Sequence, residues 1–260
     1  MALITLTTDF GARDHFTGAM KGVILSIAPR VTIVDITHEV AAFEVTEGAF
    51  TVAEASRSFP KKTIHVVVVD PGVGSARRPI LVEAGGHLFL GPDNGVLSMI
   101  YGRQQARIRA IANDKYFLQP VSPTFHGRDI FAPVAAHLAR GLKPKQVGPV
   151  IEDYLRVTLE KPTRTGKRSW AGTVLKVDRF GNLITNFHVD EFPTVRERPI
   201  VMIPGVRTVE KMAVTYAEAQ PGEPVVIIGS SGFLEVCVNQ DSAAKVMGCV
   251  AGSPVELSIY

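Results

Sequence analysis

The run His65–Asp70, HVVVVD, constrains this chain more than any other stretch. Four consecutive valines are too few for a helix core and too uniformly apolar for a half-exposed strand. The run is therefore expected to be a strand buried on both faces, as in a parallel sheet covered by helices. Asp70-Pro71-Gly72 stops the ladder at once and turns the chain. A carboxylate thereby stands at the carboxyl end of a central strand, where open α/β sheets bind their ligands. The loop that follows delivers an arginine pair, Arg77 and Arg78. Taken alone, these residues also fit a strand end with a solvated turn.

The flanking sequence supports the sheet. Ala2 to Thr7 and Val31 to Ile36 read as strands, and Phe16 to Ile27 and Phe43 to Ala55 carry helical spacing, the first closed by Pro29. Strand, helix, strand, helix, strand predicts parallel βαβ units. Ile80 to Glu83 and His87 to Leu90 form an expected strand pair about Gly85-Gly86, leading into Gly91-Pro92-Asp93-Asn94-Gly95. Asp129 to Leu142 is an expected helix, stopped by Pro144 between Lys143 and Lys145. The character then changes: Glu160 to Ser169, EKPTRTGKRS, is polar, basic and broken by Pro and Gly, so 156–169 reads as a linker. Beyond it come short strands at Trp170–Asp178, Leu183–Phe187, Ile200–Ile203, Pro224–Ile228, Glu235–Val238 and Val255–Ile259, at the spacing of a small antiparallel barrel or sandwich. The reading is an α/β chain, with an N-terminal three-layer domain of mostly parallel sheet at 1–155 and a second, antiparallel domain at 170–260.

Composition excludes several classes. Over 260 residues the chain is 46% hydrophobic and 20% charged, with a net charge of +3, an ordinary globular balance. Acids and bases are interspersed, without a basic stripe carrying aromatics, so nucleic acid is not an expected partner. No apolar run reaches spanning length, so no membrane is expected. The opening MALITLTTDFG lacks a basic n-region and a cleavage site, which argues against a secretory signal. Cys237 and Cys249 are spaced neither as a metal knuckle nor as a disulfide framework, so a reducing, cytoplasmic setting is expected.

Acids cluster where strands end: Asp9 with Asp14 nearby, Asp35, and Asp70. In a parallel sheet these ends share one edge, so Asp9 and Asp70 can converge; each also fits a turn-capping role. Thr124-Phe125-His126-Gly127-Arg128-Asp129 is a second polar cluster, in which His126 fits a capping or core role and Asp129 a helix N-cap. The loop PGVGSARR lacks the Gly-Lys-Ser/Thr ending of a P-loop, and no GxGxxG joins a strand to a helix. Nothing spaced as HxxxH or HxH supports a metal site on Asp9, Asp70 and His126, and Gly229-Ser230-Ser231-Gly232 is not a nucleophile elbow. Asp178-Arg179-Phe180-Gly181-Asn182 and Gly229 to Glu235 each join an aromatic to polar groups at a turn. Each fits a hairpin turn, or an aromatic face with hydrogen bonds for a flat heterocycle.

TTDFG, VVDPGVGSARR, GPDNG, FHGRDIFAP, DRFGNLITNF and GSSGFLEVCVN occur in order along the chain. Together they resemble the S-adenosyl-L-methionine (SAM) hydroxide adenosyltransferase family, adenosine-forming SAM hydrolases related to fluorinases and chlorinases. The resemblance implies an N-terminal α/β domain, a C-terminal β-barrel domain, and a homotrimer with active sites at subunit interfaces. It places the catalytic Asp, Arg and His on Asp70, Arg77 and His126. Asp9 matches the carboxylate that grips the ribose hydroxyls, and Asp14 lies beside it in the same substrate-binding stretch. Asp178, Phe180, Asn182, Ser230, Glu235, Val238 and Asn239 fall in stretches resembling the methionine- and adenine-binding parts. Where the fluorinase has a serine, this chain has Phe16.

The chemistry implied is hydrolysis of SAM to adenosine and L-methionine by in-line attack of activated water on the ribose C5′. A neutral thioether leaves from a sulfonium, so no general acid, metal or cofactor is needed; SAM is the substrate. Water is a poor nucleophile at a pKa of about 15.7. Arg77 can stabilise developing hydroxide, while Asp70 and His126 can orient the water and take its proton. Other readings are a nucleoside- or SAM-binding protein without turnover, a metal-dependent hydrolase, and a SAM-dependent halogenase.

Overall fold

A computed structural model describes residues 2–157 and 161–260. The chain divides into two compact units, Met1–Thr158 and Leu159–Tyr260.

In the first unit, β1 (Leu3–Thr8), α1 (Phe16–Ile27), β2 (Thr32–Thr37), α2 (Val45–Ala55) and β3 (Ile64–Val68) follow one another as the hydrophobic periods require. The hairpin β4 (Pro79–Ala84) and β5 (His87–Pro92) comes next, then α3 (Ser98–Arg103), β6 (Ala106–Ala110) and α4 (Ala132–Ala139). The six-stranded sheet runs β2-β1-β3-β5-β4-β6. β1, β2, β3 and β5 are parallel, and β4 is antiparallel to both neighbours. The valine strand β3 lies between β1 and β5 and is buried at every position.

One face of this strand, Ile64, Val66 and Val68, packs with Ile4, Leu6, Met20 and Ile24 under α1 and α4. The other is covered by α2, where a Cβ on Gly48 would come within 2.9 Å of Val69 Cγ2. Helices on both faces make three layers. Full burial of each valine contributes roughly 1.5–3 kcal/mol, which is why no polar residue interrupts the run before Asp70.

The helix expected at Asp129–Leu142 begins earlier and ends earlier. A widened π-helical turn at Gly127–Phe131 precedes α4. Pro133 in the first turn of α4 has no N–H to give the Asp129 carbonyl, and that carbonyl instead accepts from Leu118 N at 2.8 Å. Asp129 is therefore not an N-cap. It is fully buried, accepts from Ser122 N at 2.8 Å and pairs with Arg128.

A buried polar chain crosses the far end of the sheet. Thr5 Oγ1 lies 2.7 Å from His65 Nδ1, and His65 Nε2 lies 3.3 Å from His87 Nδ1. Burial, then the charge of His87, lowers the pKa of His65 from 6.5 to about 3. A histidine held neutral this way leaves the unfolded chain binding the proton first. Stability is thus whole above pH 6.5 and falls as pH drops toward 3, by about 5 kcal/mol in total at 1.36 kcal/mol per unit. Thermal melts from pH 7 to pH 4 check this. His65→Phe should flatten the fall, and an unchanged slope would assign acid sensitivity elsewhere.

The second unit contains β7 (Thr163–Arg164), β8 (Ser169–Val177), β9 (Leu183–His188), β10 (Ile200–Pro204), β11 (Pro224–Ile228), β12 (Phe233–Val238), α5 (Ala243–Met247) and β13 (Pro254–Ile259). Its seven-stranded antiparallel sheet runs β10-β13-β8-β9-β12-β11, with β7 beside β8. Residues 209–213 bridge the two edges, Val209 pairing Met202 on β10 and Met212 pairing Val226 on β11. That bridge nearly closes the sheet into a barrel around Leu183, Phe187, Leu234 and Leu257. Of the expected linker, residues 158–160 lie outside the described residues, while β7 and the start of β8 join the second unit through backbone pairing. Among the described residues no helix is long and apolar enough to cross a membrane.

Candidate active site

The loop after β3 brings Asp70 and Arg77 together with His126. Arg77 folds back so that its Nε donates to Asp70 Oδ1 at 3.0 Å and its Nη2 donates to Asp70 Oδ2. The same Nη2 donates to His126 Nδ1 at 2.8 Å. Asp70 and Arg77 are nearly buried, with side chains 4% and 8% exposed, and the guanidinium backs onto the Phe131 ring at 6.0 Å. Arg77 Nη1 is buried and, among the described residues, meets no acceptor. A guanidinium donor left unpaired in a buried site is costly and points to an acceptor supplied by a ligand.

His126 stays neutral. Burial, then the Arg77 charge, lowers its pKa, against weaker opposing effects of Asp70 and Asp129. Arginine has only donors, so the Nδ1 lone pair faces it and the imidazole proton sits on Nε2.

Arg78 faces away from this cluster. It donates to Asp153 Oδ1 at 2.9 Å and to Asp93 Oδ2 at 3.1 Å, tying the GPDNG turn to the end of the unit. Sequence reasoning missed three residues that hold the site. Asn94 Nδ2 donates to Val69 O at 2.8 Å, fixing the backbone next to Asp70. Asp129 anchors the loop before His126 through Ser122. His38 Nδ1 lies 2.9 Å from Thr8 Oγ1 and its Nε2 3.0 Å from Asp35 Oδ1, steadying the turn that carries Asp9. Gly74 lets two loops meet: at φ +79°, a Cβ there would stand 2.4 Å from Pro123 O.

Asp9 follows β1, adjacent to β3, and its Oδ2 accepts from Phe43 N at 3.0 Å. Asp14 is exposed in the turn before α1. Among the described residues neither is hydrogen-bonded to Asp70, Arg77 or His126. Asp35 lies inside β2, paired with Lys21. Asp9, Asp70 and His126 do not group as a metal cluster among the described residues.

Residues 4–148 match the family model described as the SAM hydroxide adenosyltransferase N-terminal domain, and 172–256 match its C-terminal domain. The chain belongs to the SAM hydroxide adenosyltransferase family. It is 38% identical to the (R)-S-adenosyl-L-methionine hydrolase of Salinispora tropica, covering 98% of this chain and 97% of that one. The protein of that name from Thermus thermophilus is 34% identical over 99% and 100%. A fluorinase from an Actinoplanes species is more distant, 28% identical over 98% and 97%. A solved structure of an uncharacterized conserved protein from Thermotoga maritima superposes with a TM-score of 0.92 at 36% identity, over 98% and 99%.

The family's C-terminal motifs lie at turns of the second unit. Asp178 Oδ1 accepts from Phe180 N at 2.9 Å and Asn182 N at 2.8 Å, and Oδ2 accepts from Asn182 Nδ2 at 2.8 Å. The turn needs Gly181, at φ +87°, because a Cβ would come within 2.1 Å of Ser242 Oγ. This leaves Phe180 79% exposed. Glu235 is buried on β12, its pKa raised to about 7 by burial and by Asp178. Burial, then Cys237 and the same two acids, pushes Tyr216 up to about 12, and burial, then Glu235 and Asp178, pushes the Cys237 thiol upward as well. The neighbourhood favours a cation. Ser230 is exposed at the Gly229–Gly232 turn. Val238 points into the barrel core, and Asn239 Nδ2 donates to Ala219 O at 2.7 Å, so both have structural work that the sequence does not reveal.

Proposed function

We propose that this protein hydrolyses SAM to adenosine and L-methionine, acting on the R configuration at sulfur that its relatives' names specify. The Asp70–Arg77–His126 cluster, with the unpaired Arg77 Nη1, carries the reading. Nη1 donates to the attacking oxygen and lowers the cost of its deprotonation. His126 offers Nε2–H and acts as an orienting donor. Asp70 keeps a second lone pair on each oxygen and takes the proton. As the oxygen–C5′ bond forms, the C5′–sulfur bond breaks and its electron pair quenches the sulfonium charge. Water's two protons end on the adenosine hydroxyl and, through Asp70, in solvent.

Asp9 fits the ribose hydroxyls. Asp178 and Glu235 fit the ammonium of the methionine end, and Phe180 with Asn182 fits the adenine. The reading includes a homotrimer whose sites are completed by neighbouring subunits, no metal or cofactor, and a cytoplasmic setting suited to the buried free thiols Cys237 and Cys249.

The test is mass spectrometry of the purified protein with each sulfur epimer of SAM, in EDTA and with chloride added. Adenosine and methionine should appear in step from the R epimer, unaffected by EDTA. A chlorinated nucleoside would indicate a halogenase, loss with EDTA a metal enzyme, and binding without products a binding protein.

A further inference from the structure

An aromatic cluster at the carboxyl edge of the first sheet has no part in the mechanism above. Phe16, Phe10 and Phe125 meet ring to ring, Phe16 and Phe125 at 5.2 Å and 88°, and Phe10 and Phe16 at 5.8 Å. Phe10 follows Asp9 and Phe125 precedes His126 in sequence, so the cluster joins two of the polar stretches of the site. Phe125 already takes a cation: the Arg128 guanidinium sits 5.0 Å from its centroid. Phe16, the first residue of α1, is the exposed member at 36%. His15 lies against its ring at 4.6 Å and 35°, so Phe16 is held by three aromatic neighbours between the stretches that carry Asp9 and His126.

A sulfonium has no N–H or O–H, so hydrogen bonds cannot recognise it. A carboxylate beside it would hold the ground-state charge, which vanishes as the thioether leaves, and would slow the reaction. An aromatic face attracts the cation by its quadrupole and still contacts the neutral sulfur that departs.

We infer that Phe16 is a specificity-determining residue whose ring receives the sulfonium of the substrate and selects it over neutral thioethers; this rests on the function proposed above. The test compares wild type, Phe16→Leu and Phe16→Tyr at full length. It measures calorimetric affinities for SAM and for S-adenosylhomocysteine, its neutral thioether counterpart, together with turnover and a melting curve. Phe16→Leu should weaken SAM about threefold to tenfold relative to S-adenosylhomocysteine, and Phe16→Tyr should keep the wild-type ratio. Equal losses for both ligands in Phe16→Leu, or no loss in either, would overturn the assignment while leaving SAM hydrolysis intact. A wild-type protein that neither binds nor cleaves SAM would overturn the proposed function, and this inference with it.

Discussion

Arg77→Lys should lower kcat by about a hundredfold to a thousandfold, the scale of losing a donor aimed at developing negative charge, while the protein stays folded. Lysine keeps the positive charge beside Asp70, so the nearly buried carboxylate is not stranded. It cannot keep the geometry. Arg77 uses Nε and Nη2 on both oxygens of Asp70, shares Nη2 with His126 Nδ1, and holds Nη1 in reserve. An ammonium has one centre and no planar fork, so it can satisfy Asp70 only by abandoning His126 or the nucleophile. Arg78→Lys is the matched control. Its partners are Asp93 and Asp153, so it should affect melting more than turnover. Steady-state kinetics with both variants decide the matter. Wild-type kcat in Arg77→Lys would mean that charge alone suffices, and a large kcat loss in Arg78→Lys would mean that the pair was assigned the wrong way round.

That assignment shows what the sequence could and could not reveal. The βαβ half of the fold was legible because its periods are strong: Phe16–Ile27 is the helix its spacing predicts, and the valine run is the buried strand its composition demands. Short elements were not. β6, ARIRA, pairs along one edge with only Ile108 fully buried, so its pattern looks like surface. α5 has a Ser242 cap and a left-handed Gly248 but only five residues between them, too few for a period. Asp129 looked like a helix cap because the Pro133 effect on the preceding turn depends on where Leu118 lies, a contact between distant loops. Asn94 was invisible for the same reason: its partner is the backbone carbonyl of Val69, which carries no sequence signal. Resemblance to a family could place Arg77 ahead of Arg78, but the physical reason, opposite sides of one loop, needed coordinates.

Glu235→Gln should stabilise the ligand-free protein and weaken its hold on the substrate. Burial and the Asp178 charge raise the pKa of Glu235 from 4.5 to about 7. Between those values the folded chain keeps a proton that the unfolded chain has released, so this carboxyl costs nothing at pH 4 and its cost grows as pH climbs through the window. Well above pH 7 the full difference applies, about 3 kcal/mol at 1.36 kcal/mol per unit. Glutamine removes that cost, so the stability gain should be near zero at pH 4 and largest at pH 8. A gain independent of pH would show that Glu235 does not titrate as its surroundings require. Binding should run the other way. If Glu235 and Asp178 face the ammonium of the methionine end, wild-type affinity for SAM should rise from pH 6 to pH 8 as the proton leaves, and the Glu235→Gln profile should be flat and weaker. Natural chains tolerate a destabilising buried acid when its charge is spent on a ligand. A variant that gains stability and loses nothing in binding would break that link and remove Glu235 from the site.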